Sequence, residues 1–193
     1  MTIQLSERQE KIYATKTRRQ WCDNIDDCDI EFKSHLACKM NVEFPQKLID
    51  DIMLVVKDRK YVSTGGLNVS DLPKELHDRV SDTFSMFQED VYATSIMMIK
   101  SNTNMYTHLD PVRNTSVYLQ MSPVGEDYTP IELYANTRMY CIPLHNTPTV
   151  YGWNTKIPHA VFNKSKFDRY NLQLSSKMKY EEFFKKYKEY FIF

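Results

Sequence analysis

The sequence predicts an α+β protein in which helices buttress one face of an antiparallel β-roll. Three observations predict it: apolar residues at helical spacing over the first ninety positions, a change to short β-prone runs broken by turn residues, and an amphipathic segment at the end of the chain. The 193 residues read as a single domain, 1–193, with a mainly helical region at 1–90, a roll at 91–176 and a C-terminal helix at 177–193.

Each element has a local reason. Pro45 suits the first turn of a helix whose Leu48, Ile49, Ile52, Met53 and Val56 fall on one face. The stretch Ser63-Thr64-Gly65-Gly66 is expected to end that unit as a loop. Ser70 is placed to cap a second helix, with Pro73 in its first turn and Leu72, Leu76, Val80, Phe84 and Phe87 down one side. Strands are expected at 92–100, 116–121, 131–135, 138–144, 149–153, 160–162 and 169–174. Between them stand turn-forming stretches at 102–104, 123–127, 136–137 and 146–148. Strands at this spacing form a sandwich or jelly roll. The segment 180–190, YEEFFKKYKEY, reads as a helix laying an apolar stripe on a sheet.

Composition excludes several functions. Hydrophobic residues make up 42% and charged residues 26%, which is ordinary for a globular chain with a buried core. Twenty-five basic residues balance 25 acidic ones, so no strong nucleic-acid signal is present. Four dispersed glycines supply no GxGxxG fingerprint, and no GK[ST] phosphate loop occurs. No apolar run reaches the roughly 20 residues of a membrane helix. The start, MTIQLSERQEKIYATKTRRQW, lacks the apolar core of a secretory signal, so a cytoplasmic location is expected. Cys22, Cys28, Cys38 and Cys141 are accordingly expected to be reduced thiols. With His35 the first three give C-x5-C-x6-H-x2-C, which lacks the CxxC knuckle of a structural zinc site.

The chemistry concentrates in four residues. His108 and Asp110 form an H-x-D pair, and on an extended chain residues two apart point to one face. His159 stands 49 residues after Asp110 and opens the run His159-Ala160-Val161-Phe162-Asn163. Two imidazoles and one carboxylate on one face of an ion leave three positions open, the ligand set of non-haem Fe(II) oxygenases. Arg169 follows His159 by ten residues, across a turn expected to form a hairpin that returns it beside the His159 strand. Its guanidinium suits a carboxylate. On the Arg169 strand Arg169, Asn171 and Gln173 share one face, and Tyr170, Leu172 and Leu174 share the other. A polar inward face is costly unless it serves a ligand or a buried network.

The set His108-x-Asp110 … His159 … Arg169 resembles the iron(II)- and 2-oxoglutarate-dependent oxygenases, over roughly residues 92–176. The resemblance implies a double-stranded β-helix with helices behind its major sheet. It implies Fe(II) on His108, Asp110 and His159, 2-oxoglutarate as co-substrate with its distal carboxylate on Arg169, and O2 as oxidant. Asn171 stands where some members have the Ser of an Arg-x-Ser pair. Tyr106, Tyr118 and Arg113 are candidates to contact the co-substrate; Asn102 is a weaker one. Trp153 and Tyr151 either line the mouth or fill the core. A carboxylate at Asp110 favours hydroxylation over halogenation. The expected reaction is hydroxylation of a C–H bond in an amino-acid residue or small metabolite, with release of succinate and CO2. The substrate is then a small molecule or a protein side chain, and the loops 60–69 and 122–130 are candidates to select it. A cupin-like metal enzyme without 2-oxoglutarate, and a non-enzymatic jelly-roll module, are the alternatives. A chain rich in Lys, Asn and Tyr and poor in Gly suits an AT-rich genome such as a bacteriophage's. Small oxygenases of this kind are frequent there, and the host cytoplasm would be the location.

Overall fold

A computed structural model describes residues 22–57, 65–122, 128–135 and 138–193. In chain order the elements are β1 (Cys22–Asn24), α1 (Ile30–His35), β2 (Ala37–Met40), α2 (Gln46–Lys57), β3 (Gly65–Asn68) and α3 (Lys74–Thr83). There follow β4 (Val91–Ile99), β5 (Thr103–His108), β6 (Thr115–Gln120), β7 (Tyr128–Ala135), β8 (Arg138–Ile142), β9 (Val150–Asn154), β10 (His159–Asn163), β11 (Arg169–Ser176) and α4 (Tyr180–Lys186). Two sheets face each other. The larger runs β2-β9-β6-β11-β4-β3 and the smaller β1-β8-β7-β10-β5. Apart from the parallel β1–β8 pair, neighbouring strands are antiparallel.

Two apolar cores follow from the alternation along the strands. Outside the larger sheet, Tyr170, Leu172 and Leu174 of β11 pack with Leu48, Ile49, Ile52 and Val56 of α2, Leu76 and Val80 of α3, and Phe183 and Phe184 of α4. This is the helical buttress the apolar spacing predicts. Between the sheets lie Ile99, Tyr118, Ile131, Leu133, Tyr140, Ile142, Tyr151, Trp153 and Val161. Because side chains alternate, the helices behind β11 force Arg169 and Asn171 into the inter-sheet space, where they are fully or almost fully buried.

The structure departs from the local reading at definite points. Gly65 and Gly66 belong to β3 and pair with Met98 and Met97. A Cβ on Gly66 would stand 2.8 Å from the Met97 sulfur, so the glycine serves close strand approach there. Ser63 and Thr64 lie outside the described residues, as do the turn stretches at 123–127 and 136–137, and with them the first half of the candidate loop 60–69, whose second half is β3 and the start of a 3₁₀ turn, and positions 123–127 of the candidate loop 122–130. Ser70 sits in a 3₁₀ turn, Val69–Asp71, and Pro73 occupies the position before α3. The stretch 102–104 is only half a turn. Asn102 adopts a φ of 53°, and β5 has begun by Thr103. The closing helix ends at Lys186 and resumes as a 3₁₀ turn, Lys188–Tyr190. The strands β1, β2 and β5 lie outside the expected ranges: β1 and β2 have only 3 and 4 residues, too few for a periodic signal, and β5 meets β10 across a register irregularity.

Nor is the connection from His159 to Arg169 a hairpin. β10 pairs with β5 and β7, whereas β11 pairs with β4 and β6 in the other sheet. The chain turns a corner between sheets. Asn163, wholly buried, holds that corner: its Nδ2 donates to the carbonyls of Ile99, Lys100 and Phe167 at 2.9, 3.0 and 2.9 Å. Its Oδ1 accepts from the Ser165 hydroxyl at 2.9 Å. The same corner sends Arg169 into the interior.

Candidate metal centre and anion pocket

His108 ends β5, His159 begins β10, and the two are register partners. Asp110 lies just beyond β5, where its backbone N–H donates to the Thr155 carbonyl at 3.3 Å and Lys156 Nζ donates to its carbonyl at 2.6 Å. One ligand atom from each of the three side chains lies within 4.8 Å of the others, the only such group of His, Cys, Asp and Glu among the described residues. The two imidazole centroids are 4.3 Å apart.

Tautomers follow from the partners. Nδ1 of His108 lies 2.7 Å from the Tyr106 carbonyl, and Nδ1 of His159 lies 2.9 Å from that of Ile157. A carbonyl only accepts, so each Nδ1 carries the proton and each Nε2 keeps its lone pair. Burial first, and the neighbouring His108 second, push His159 down from 6.5 to about 4. Near neutral pH the His159 ring is therefore supplied in the neutral state that binds a cation. Trp153 packs its ring at right angles to His159, with centroids 4.6 Å apart. Its Nε1–H is buried and has no hydrogen-bond partner among the described residues.

The candidate anion site is built from β11 and β6. Arg169, with no exposed surface, donates from Nη2 to the Tyr118 hydroxyl at 2.6 Å and from Nε to Asn171 Oδ1 at 3.3 Å. The Tyr118 hydroxyl in turn donates to Asn171 Oδ1 at 3.0 Å. A buried guanidinium on an inward polar strand face is a placed cation rather than a surface charge.

Among the sequence candidates, His108, Asp110 and His159 come together, and so do Arg169, Asn171 and Tyr118. Arg113 joins the first group: its Nε and Nη2 donate to Asp110 Oδ2 at 2.8 and 2.5 Å. Tyr106 does not join the buried pocket. Its ring is 63% exposed and meets Phe162 edge-on. The local reason is a register irregularity in the β5–β10 ladder between His159 and Val161, which breaks the two-residue alternation that would have aligned Tyr106 with His108. Asn102 spends its backbone N–H on the Ser165 carbonyl in the corner turn. Trp153 and Tyr151 are inter-sheet core residues, and the Tyr151 hydroxyl donates to Asp26 Oδ2 at 2.7 Å. The cysteine–histidine group near the start is dispersed. Cys38 Sγ donates to the Ile192 carbonyl, Cys28 Sγ to that of Asn24, and His35 reaches Glu181. The alternation along β11 marks Gln173 only as a member of the polar face. Gln173 accepts from Arg113 Nη1 at 2.6 Å, a link no spacing rule reveals.

The sequence matches no protein-family model and no curated protein sequence. Solved structures do resemble it. A Pseudomonas putida prolyl-4-hydroxylase aligns with a TM-score of 0.59 at 11% identity, over 77% of this chain and 96% of that one. A Trichoplax adhaerens prolyl hydroxylase, solved with a hypoxia-inducible-factor peptide fragment, gives 0.58 at 11%, over 79% and 89%. HygX from Streptomyces hygroscopicus, solved with nickel and 2-oxoglutarate bound, gives 0.57 at 8%, over 79% and 89%. The fold is thus the double-stranded β-helix found in 2-oxoglutarate- and Fe(II)-dependent oxygenases.

Proposed function

We propose that this chain is an Fe(II)- and 2-oxoglutarate-dependent dioxygenase that hydroxylates a C–H bond of an amino-acid residue or small metabolite. The observation that carries the reading is the pairing, in one β-roll, of a His-Asp-His group presenting free Nε2 lone pairs with a buried, pre-organised Arg169. The donor set suits Fe(II): two imidazoles and one carboxylate offer ligand atoms within 4.8 Å of one another, the donor types of a two-histidine, one-carboxylate iron site. The orphan Trp153 N–H beside His159 suits an acceptor brought in by a ligand.

Each side chain has a task. His108, Asp110 and His159 hold Fe(II), with both Nδ1 protons kept on backbone carbonyls so that the rings cannot turn away. Arg169 binds the distal carboxylate of 2-oxoglutarate, and Tyr118 and Asn171 hold the guanidinium in place for it. The inter-sheet apolar residues keep water from the reacting centre. The bound iron and 2-oxoglutarate supply O2 activation, with succinate and CO2 as co-products. A peptide side chain is an admissible substrate: the Trichoplax enzyme of the same fold was solved with a peptide fragment.

The test is an oxygen-free titration of the metal-free protein with Fe(II) and then 2-oxoglutarate. A weak visible charge-transfer band that needs both additions and is lost in Asp110→Ala is the expected result. Metal binding without the band would favour a cupin-like enzyme, and no metal binding would leave a non-enzymatic module.

A further inference from the structure

Asp110 does not present its two oxygens equally. Oδ2 takes both the Nε and the Nη2 protons of Arg113, at 2.8 and 2.5 Å. Oδ1 is the oxygen that faces His108, 3.9 Å from its Nε2. The Asp110 and Arg113 side chains are only 15% and 16% exposed, so water competes weakly for this pair. Arg113 is itself held at three places. Its Nη1 donates to Gln173 Oε1 at 2.6 Å, its carbonyl accepts from Thr155 Oγ1 at 2.6 Å, and its charge faces Asp110. Gln173 lies on β11, in the same inward row as Asn171 and Arg169, and its register partner on β6 is Tyr118.

We infer that Arg113 is a positioning residue that makes Asp110 a one-oxygen metal ligand, with Gln173 anchoring Arg113 to the strand that carries the anion pocket. This rests on the metal site proposed above. A carboxylate with both oxygens free can swing its second oxygen onto a cation and fill one more position. Arg113 occupies that second oxygen. Three positions then stay open, enough for a bidentate co-substrate and one further small ligand. Without Arg113 only two remain, and a bidentate co-substrate exhausts them. An arginine three residues after the ligand carboxylate thus sets how many open positions the site has, through Asp110 and without touching the reacting atoms.

The experiment counts open positions directly. Mn(II) is bound to wild type, Arg113→Met, Arg113→Lys and Gln173→Leu, and exchangeable metal-bound water is counted by water-proton relaxation, with and without 2-oxoglutarate. Wild type is expected to hold three waters, falling to one when 2-oxoglutarate binds. Arg113→Met is expected to hold two, falling to none, and its Fe(II)–2-oxoglutarate form is expected to lose binding of nitric oxide, read by electron paramagnetic resonance. Arg113→Lys, which keeps one cationic donor, restores part of the count, and Gln173→Leu lowers it partway. A merely structural role would change thermal stability without changing the water number. An unchanged water number in both Arg113→Met and Gln173→Leu, with Mn(II) bound, overturns this inference alone. Failure of wild type to bind Mn(II) overturns the metal-site reading beneath it as well. If Arg113→Met does not fold, the Gln173→Leu and Arg113→Lys counts decide.

Discussion

Replacing Tyr118 by Phe isolates one oxygen atom in the buried Arg169–Tyr118–Asn171 network. Tyr118 is 2% exposed and the ring is kept, so packing between the sheets changes little. The lost hydroxyl accepts from Arg169 Nη2 at 2.6 Å and donates to Asn171 Oδ1 at 3.0 Å. A hydrogen bond to a charged group contributes about 1.5–3 kcal/mol and a neutral one about 0.5–1.5 kcal/mol. Arg169 keeps other partners, the Nε bond to Asn171 at 3.3 Å among them, which places the net loss near the low end, about 2 kcal/mol. For a chain of this size that lowers Tm by roughly 4–8 °C. Urea unfolding of the metal-free protein, with the midpoint displaced and the slope unchanged, is the assay. Co-substrate affinity adds a second reading. Tyr118→Phe loosens the guanidinium but leaves its charge, so 2-oxoglutarate should bind about tenfold more weakly, equivalent to about 1.4 kcal/mol. Arg169→Leu removes the charge itself while the Tyr118–Asn171 bond stays, so the loss there should exceed about 100-fold. A stability change below about 0.5 kcal/mol, the range of ordinary surface substitutions, would refute the account of Arg169 as held by Tyr118.

Three further outcomes are expected. The metal-free protein should lose stability as pH falls from about 6.5 towards 4, because over that interval the unfolded chain protonates His159 while the folded chain does not; the contribution is up to roughly 3 kcal/mol, and His159→Gln should flatten that slope in denaturation midpoints measured against pH. Gly152→Ala should destabilise by about 1–3 kcal/mol, since the new Cβ would stand 2.9 Å from Phe191 Cε1 and 3.3 Å from Met40 Sδ, and Phe191→Leu should recover part of the loss in the double variant. Asn163→Ala should cost about 1–3 kcal/mol, because the carbonyls of Ile99, Lys100 and Phe167 each lose a donor while Lys100 keeps the Thr103 N–H and Phe167 keeps the Ser165 hydroxyl, and a 2-oxoglutarate titration should weaken with it because the same corner seats Arg169.

Much of this molecule is written locally. The apolar stripe of Leu48, Ile49, Ile52, Met53 and Val56 specifies a helix and its buried face from neighbours three and four apart. The alternation of Arg169, Tyr170, Asn171, Leu172, Gln173 and Leu174 specifies a strand with one apolar and one polar face, and the order His108, Asp110, His159, Arg169 carries the resemblance on which the proposed chemistry rests. Those signals depend on spacing along one chain segment, and spacing is what a sequence carries. The sheet in which a strand lies depends on partners tens of residues away. That is why the turn after Asn163 read as a hairpin and proved to be a corner between two sheets. Tyr106 and Tyr118 were equal candidates until tertiary packing exposed one ring and buried the other against Arg169. The engagement of Arg113 with Asp110 and Gln173 was likewise decided only when β11 was laid beside β6, because a long side chain's partner is set by which surfaces the fold brings within its reach.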